Sequence, residues 1–160
     1  MSKIVEYKNA EGKLHRIDGP SVEKADGTTH WYINGERHRI DGPAIEEADG
    51  AKSWWIDGKR HRIDGPAIEY ADGTKLWWID GELHRIDGPA IERADGTKEW
   101  WIDGKRHRID GPAYEHSNGT KAWYINGQHV TEEVNNWLNE NNISYPFDEY
   151  ELVQFKMRWL

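Results

Sequence analysis

Short apolar runs alternate with tight-turn signals along most of the chain, and this pattern predicts β-hairpins. In residues 64–85, the runs Ala67 to Tyr70 and Lys75 to Ile79 are separated by Asp72-Gly73, and the second run ends at Asp80-Gly81. Asp-Gly pairs favour tight hairpin turns because Gly accepts a positive φ. The second run is rich in residues that favour strands. Each such segment is therefore predicted to form about two short strands.

The pattern repeats with a constant period. The hexapeptide His-Arg-Ile-Asp-Gly-Pro occurs five times at a spacing of 23 residues, starting at His15, His38, His61, His84 and His107. Asp-Gly or Asn-Gly turns and a pair of aromatic residues recur in phase with it. A unit of this size cannot bury a core alone and must lean on its neighbours. The predicted fold is mainly β: an elongated sheet of tandem hairpins with a 23-residue period.

Each repeat carries two adjacent aromatic positions, for which alternation predicts opposite faces. The first aromatic is always followed, two residues later, by Ile, so this invariant pair is expected on the packed face. The residue two positions before the second aromatic varies from Ser53 to Leu76 to Glu99, as on a solvent-facing surface. The second aromatics are therefore expected to form an aromatic stripe on the wetter face, consisting of Tyr32, Trp55, Trp78, Trp101 and Tyr124.

The last thirty or so residues break the repeat and predict a helical cap. Thr131 reads as an N-cap followed by acidic residues, which favour a first helical turn. Val134, Trp137 and Leu138 follow at helical spacing, and Asn141 ends the segment. An open array of repeats needs such a cap over its last apolar edge.

A second helix is predicted from Asp148 to Leu160. Both helices are expected to pack against the fifth repeat, the first through Trp137 and Leu138 and the second through Phe155 and Trp159. The predicted domains are a hairpin array over residues 1–129 and a helical cap over residues 130–160. At the other end, Ile4, Val5 and Tyr7 predict an edge strand.

Composition and charge narrow the functional classes. The net charge of −8 disfavours general binding to nucleic acid or to anionic membranes, which needs an excess of Lys and Arg. The chain has no Cys, so neither disulfides nor thiolate metal sites are available. The first residues lack the apolar run of a secretion signal, and no stretch has the length of a membrane span. A cytoplasmic protein is expected.

The repeated polar residues predict structure rather than catalysis. Copies of His-x-x-Asp one repeat apart would lie roughly 10 Å from each other, too far to share a metal ion. A catalytic role rarely recurs five times, since an active site is one asymmetric group. No enzyme activity, cofactor or metal is therefore expected. The repeated acids Glu23, Glu46, Glu69, Glu92 and Glu115 are expected to pair with Arg16, Arg39, Arg62, Arg85 and Arg108.

The repeat resembles the MORN repeat, most clearly from Trp54 to His61 and from Trp100 to His107. The resemblance covers roughly residues 10–129. The chain differs from MORN units in the hexapeptide, where it has Arg and Asp at positions that are usually Gly in MORN units. It implies an elongated sheet of hairpins with a role in scaffolding, dimerisation or partner recruitment, and no catalytic residues. The repeats and the short helical tail are also similar to uncharacterised products of large tailed bacteriophages.

These observations predict a non-enzymatic protein-binding module. The resemblance to phage proteins further implies an inhibitor of a host defence protein, acting in the host cytoplasm. The expected partner is a host or phage protein, with a homodimer as a further option. One alternative is a sponge for a nucleotide or other small ligand held by Trp and Arg stacking, and another is a hydrolase of glycans. The stripe could also simply cover a thin sheet. The predicted partner-binding residues are the aromatic stripe together with Arg39, Arg62, Arg85 and Arg108.

Overall fold

The computed structural model describes residues 4–160 and is mainly β, with tandem antiparallel hairpins followed by two helices. It divides into two compact units, unit 1 (Met1–Glu82) and unit 2 (Leu83–Leu160). The strands that begin in unit 1 are β1 (Ile4–Glu6), β2 (Val22–Lys24), β3 (Thr29–His30), β4 (Tyr32–Ile33), β5 (Glu36–Arg37), β6 (Ile45–Glu46), β7 (Lys52–Ser53), β8 (Trp55–Ile56), β9 (Lys59–Arg60), β10 (Ile68–Glu69), β11 (Lys75–Leu76), β12 (Trp78–Ile79) and β13 (Glu82–Leu83). The elements of unit 2 are β14 (Ile91–Glu92), β15 (Lys98–Glu99), β16 (Trp101–Ile102), β17 (Lys105–Arg106), β18 (Tyr114–Glu115), β19 (Lys121–Ala122), β20 (Tyr124–Ile125), β21 (Gln128–His129), α1 (Thr131–Glu140) and α2 (Glu149–Trp159).

Each repeat forms two hairpins, and this confirms the predicted tandem-hairpin fold. The first hairpins join a continuous antiparallel ladder, with the strand order β1-β2-β3-β6-β7-β10-β11 in unit 1 and β14-β15-β18-β19 in unit 2. The second hairpins stand beside the ladder as separate two-stranded pieces, such as β4-β5 and β8-β9 in unit 1 and β16-β17 and β20-β21 in unit 2. The predicted edge strand at the start of the chain is present, since β1 ends the order and pairs with β2.

The predicted second strand of each repeat is broken at its first aromatic residue. The Trp54 amide donates to Ala67 O in the ladder (2.8 Å), whereas the Trp54 carbonyl accepts from His61 N of the second hairpin (3.1 Å). The backbone of this residue therefore bridges two hairpins, and alternation cannot be carried across it.

The turn residues adopt the conformations that the sequence predicts. In the turn between β8 and β9, Asp57 and Gly58 both have positive φ, of 47° and 73°. This is the type I′ geometry, whose twist matches that of the flanking strands. In the first turn of a repeat only the Gly is left-handed, as at Gly27 with φ 94°.

In repeats one to four, the buried residues are mainly small or aliphatic ones rather than members of the aromatic pairs. The residue after each Gly-Pro is fully buried: Ser21, Ala44, Ala67, Ala90 and Ala113. The first aromatic is half-buried in repeats one to four, and so is every second aromatic. The prediction that the Trp–Ile pair forms the packed face is therefore wrong for these four repeats. It holds in the fifth, where Trp123 and Ile125 are buried.

The helical tail packs against the fifth repeat, as predicted. Trp123, Ile125, Val134 and Phe155 form a buried cluster, surrounded by partly buried side chains that include Trp137, Leu138 and Trp159. Asp148 caps α2 through a capping box with Glu151.

Thr131 is not the N-cap of α1, as was predicted; Val130 occupies that position. The Thr131 hydroxyl instead accepts a hydrogen bond from Trp123 N at 2.8 Å and ties the helix to the fifth repeat. Within residues 4–160, neither helix is long and apolar enough to cross a membrane.

Candidate functional site

The predicted binding residues lie in two different environments. The hexapeptide arginines cover the first aromatics: the distance from the guanidinium carbon to the ring centroid is 4.1 Å for Arg39 over Trp31 and 4.0 Å for Arg62 over Trp54. The stripe aromatics contact other arginines instead. The structure therefore does not bring the two halves of the predicted set together into one site.

Each hexapeptide arginine holds its own loop closed. Arg62 donates from Nε to Asp64 at 2.9 Å, and from Nη1 to the Pro66 carbonyl and to Glu69 at 3.2 and 3.1 Å. The hydrogen bond from Arg62 holds the pKa of Asp64 below its usual value. The predicted Arg–Glu pairing is confirmed in all five repeats. These arginines are thus structural clamps whose charge is already paired.

Consecutive hexapeptide loops enclose open grooves, here called the loop grooves. The first is bounded by residues 16–19 and 39–41, has Trp31 and Ile33 as its floor, and has a volume of about 610 Å³. The next, over Trp54 and Ile56, has a volume of about 570 Å³. Both lie wholly within unit 1.

The rims of the loop grooves combine apolar and acidic side chains. The hexapeptide isoleucine is almost fully exposed in four repeats, at 85% for Ile17, Ile40 and Ile63 and 86% for Ile86. The aspartates beside them are equally exposed, for example 84% for the Asp41 side chain. A rim of this composition can accept aliphatic and basic side chains together.

In unit 2, the tail of the chain reaches a groove of the same kind. The groove over Trp100 and Ile102 is lined by Leu152 and Lys156 from α2 as well as by the loops. Ile109 on the rim of this groove is half-buried, whereas the hexapeptide isoleucines of the other four repeats are exposed. One helix of this chain therefore presents an aliphatic and a basic residue to a loop groove.

In unit 1, the aromatic stripe alternates with two arginines that were not predicted as site residues. The Arg37 guanidinium lies 5.6 Å from the Tyr32 ring and 5.0 Å from the Trp55 ring. The Arg60 guanidinium lies 4.9 Å from Trp55 and 5.1 Å from Trp78. The turn type contained the signal for them, because a two-residue hairpin pairs each stripe aromatic with the residue five positions later, as in Tyr32↔Arg37.

In unit 2, the stripe contains a buried carboxylate. Arg106 lies 5.1 Å from the Trp101 ring and donates from Nε and Nη2 to Glu99 at 3.0 and 2.8 Å. Glu99 also accepts from Arg93 and from Trp101 Nε1, and its side chain is 1% exposed. Burial acts to raise the pKa of Glu99, but the hydrogen bonds from Arg93 and Arg106 outweigh it, so the pKa lies below its usual value.

The hexapeptide histidines cap the hairpin turns that lie 19 residues later in the chain. His38 Nδ1 lies 2.8 Å from Asp57 Oδ1 and 3.3 Å from Asp57 N, and His61 contacts Asp80 in the same way. The aspartate of His-x-x-Asp is bound to Arg instead. Among residues 4–160 there is no group of three or more His, Asp or Glu placed to hold a metal ion.

Comparison with known proteins gives no identification. No family model matches the chain, and neither does any curated protein.

Proposed function

We propose that the protein is a non-enzymatic binding module that holds a protein partner in its loop grooves. The observation that carries this proposal is the placement of Leu152 and Lys156 of α2 at a loop groove of unit 2. The two residues are four positions apart and so share one face of the helix. The proposed partner presents an aliphatic and a basic side chain with the same spacing to the grooves of unit 1.

The composition of the grooves supports such a partner. The rim isoleucines expose most of their apolar surface, and burial of an aliphatic side chain is worth about 1.5–3 kcal/mol. The neighbouring aspartates and the net charge of −8 favour a basic partner and speed its approach. The paired arginines Arg39 and Arg62 act as groove walls in this proposal.

The resemblance to tailed-phage products supports a host or phage protein as this partner, met in the cytoplasm of the infected cell. The narrower form of the proposal is that occupying the partner inhibits a host defence protein. In either form the protein acts by binding and needs no reacting group of its own.

The test is an affinity capture from bacterial host lysate followed by titration of the purified captured protein. Replacing Ile40 and Ile63 by Ser removes apolar contact without adding charge, and we expect the affinity to fall at least about tenfold. Met157→Ser is the matched control, because Met157 is an exposed apolar residue that lines none of the loop grooves. An affinity that is unchanged in the Ile40 and Ile63 variant, or that falls only in the control, contradicts the proposal.

A further inference from the structure

Unit 1 has a further groove on a second surface, separate from the loop grooves. We propose that the groove beside the aromatic stripe, bounded by Arg37, Ser53, Trp55 and Arg60, binds a carboxylate group, and that Arg60 is its main contact. This site does not depend on the proposed protein-binding function, because it uses none of the residues that line the loop grooves of unit 1.

The first argument is that two guanidinium groups of this groove lack a carboxylate partner. Among residues 4–160, neither Arg37 nor Arg60 has an ion pair, and the Nε atom of each is buried without a hydrogen-bond acceptor. The hexapeptide arginines differ sharply: Arg39, for example, binds both Asp41 and Glu46. Leaving a buried donor of a charged group unsatisfied is costly, so an added acceptor is favoured here.

The second argument is that a later repeat fills the same place with a carboxylate of its own. Glu99 stands 46 residues after Ser53, which is two repeat periods, and Arg106 stands at the same interval after Arg60. Glu99 receives hydrogen bonds from Arg106 and from Trp101 Nε1. At the earlier position Trp55 Nε1 donates to the short Ser53 hydroxyl at 2.7 Å, and within the described part of the chain no carboxylate pairs with Arg60.

The groove also has the room and the charge for such a ligand. Its volume is about 240 Å³, and Ile45 and Ile68 form part of its lining. Arg37 and Arg60 supply two positive charges, against the single carboxylate of Glu47. Glu47 is engaged elsewhere, since it accepts from Thr28 Oγ1 at 3.3 Å. The surroundings are therefore positive on balance in an otherwise acidic chain.

The chemistry of the donors suits a carboxylate, the group that Glu99 supplies to Arg106 in the later repeat. A guanidinium is a planar fork that matches the two oxygens of a carboxylate, and it is more easily desolvated than an ammonium. The Trp55 ring holds the Arg60 guanidinium through a cation–π contact and so reduces the freedom that binding would remove. The third repeat lacks these features, because it has Leu76 and Leu83 at the two equivalent positions.

The experiment is a titration of the full-length protein with sodium acetate, with sodium chloride at equal ionic strength as the reference. The Nε–Hε signals of the arginine side chains are followed by NMR. We expect a saturable shift of the Arg60 signal, with a smaller shift for Arg37, at about millimolar acetate. Arg106 is the internal control, because Glu99 already occupies its donors; its signal should not move.

Variants at one position separate binding from general charge effects. In Ser53→Glu the tethered carboxylate should occupy the site, abolish the acetate response and raise Tm relative to Ser53→Gln by about 2–4 °C. The response should persist in Ser53→Gln and vanish in Arg60→Ala. An acetate effect that chloride reproduces, or one that survives in Ser53→Glu or Arg60→Ala, overturns the proposal.

A capped peptide with one central Glu, compared with its Gln version, identifies the source of the carboxylate. Binding of the Glu peptide at least about tenfold tighter than acetate indicates an acidic side chain of a protein ligand. Equal affinity indicates a small free carboxylate. Failure of both the peptide and acetate to shift the Arg60 signal overturns the proposal.

Discussion

Arginine has two roles in this protein, and its neighbours decide which. In the hexapeptide, Arg62 is neutralised by Asp64 and Glu69 and holds a loop against Trp54. In the second hairpin, the Arg60 guanidinium lies against the rings of Trp55 and Trp78 and has no ion pair within residues 4–160. The two residues are two positions apart in the chain, yet one is a clamp and the other is an unpaired cation.

Glu99 should contribute more to stability than any exposed acid of the repeats. Glu99→Gln removes the charge that Arg93 and Arg106 share, and we expect a loss of about 2–3 kcal/mol in the free energy of unfolding. The value stays below that of a fully buried pair because Arg93 is half exposed. Glu69→Gln, at a half-buried pair where Arg62 keeps its second partner Asp64, should cost less, about 1 kcal/mol. Chemical denaturation measures both, and equal losses would contradict this assignment.

The same residue predicts a dependence on pH. The pKa of Glu99 is lower in the folded protein than its usual value, so its stabilising effect is complete above about pH 4.3 and is lost as the pH falls through the folded pKa. In Glu99→Gln this part of the acid destabilisation should be missing. Unfolding free energies at about pH 7 and about pH 3.5 test the sign. A variant that loses as much stability on acidification as the native chain would refute it.

The elements of the array are too short to be stable alone. Most strands have two residues, and each depends on its antiparallel partner strands and on left-handed turn residues such as Asn34 and Gly35. The helices differ, because α2 buries one face against the fifth repeat and exposes another. Phe155 is fully buried, whereas Val153 on the same helix is 53% exposed.

This difference within α2 predicts unequal costs for two truncations. Phe155→Ala should cost about 3–5 kcal/mol, since it empties the centre of the cluster around Trp123. Val153→Ala should change stability by about 0.5 kcal/mol or less, as expected for a surface position. Thermal or denaturant unfolding of the two variants provides the comparison. A similar cost at both positions would show that α2 does not pack as described.

At the scale of the molecule, the array has different ends. At the start, Tyr7 takes the place of a repeat Trp beneath the Arg16 guanidinium, 4.1 Å from its ring, and β1 ends the ladder. At the other end, Trp123 lacks a following hexapeptide arginine and is covered by Tyr145, Phe147 and Phe155 instead. The tail thus substitutes for the next repeat.

Removing residues 131–160 should therefore cause aggregation, because it uncovers Trp123 and Ile125. The matched control is removal of residues 44–66, one complete period, which rejoins Pro43 to Ala67 and restores the Gly-Pro-Ala sequence. The control keeps both ends and should remain monodisperse. Light scattering of the two proteins distinguishes the outcomes. A monodisperse tail deletion would show that the tail is dispensable as a cap.

The sequence by itself determined the repeat period, the hairpins and the helical tail. Local chemistry explains this success, since Gly58 accepts the positive φ that a type I′ turn at Asp57-Gly58 requires. Pairing of Glu69 with Arg62 was also predictable, because the two residues recur together in every repeat.

Only the tertiary structure decided which surfaces are covered and which cations are free. Side-chain alternation predicted opposite faces for Trp54 and Trp55 as neighbours in one strand. In the structure the strand is interrupted at Trp54, because its backbone is hydrogen-bonded to two different hairpins. The stacking of Arg60 between Trp55 and Trp78 joins residues of different repeats. Whether such an arginine pairs with a carboxylate depends on one variable position, which is Ser53 in one repeat and Glu99 in another. The repeat pattern describes what the repeats share and so did not reveal this difference.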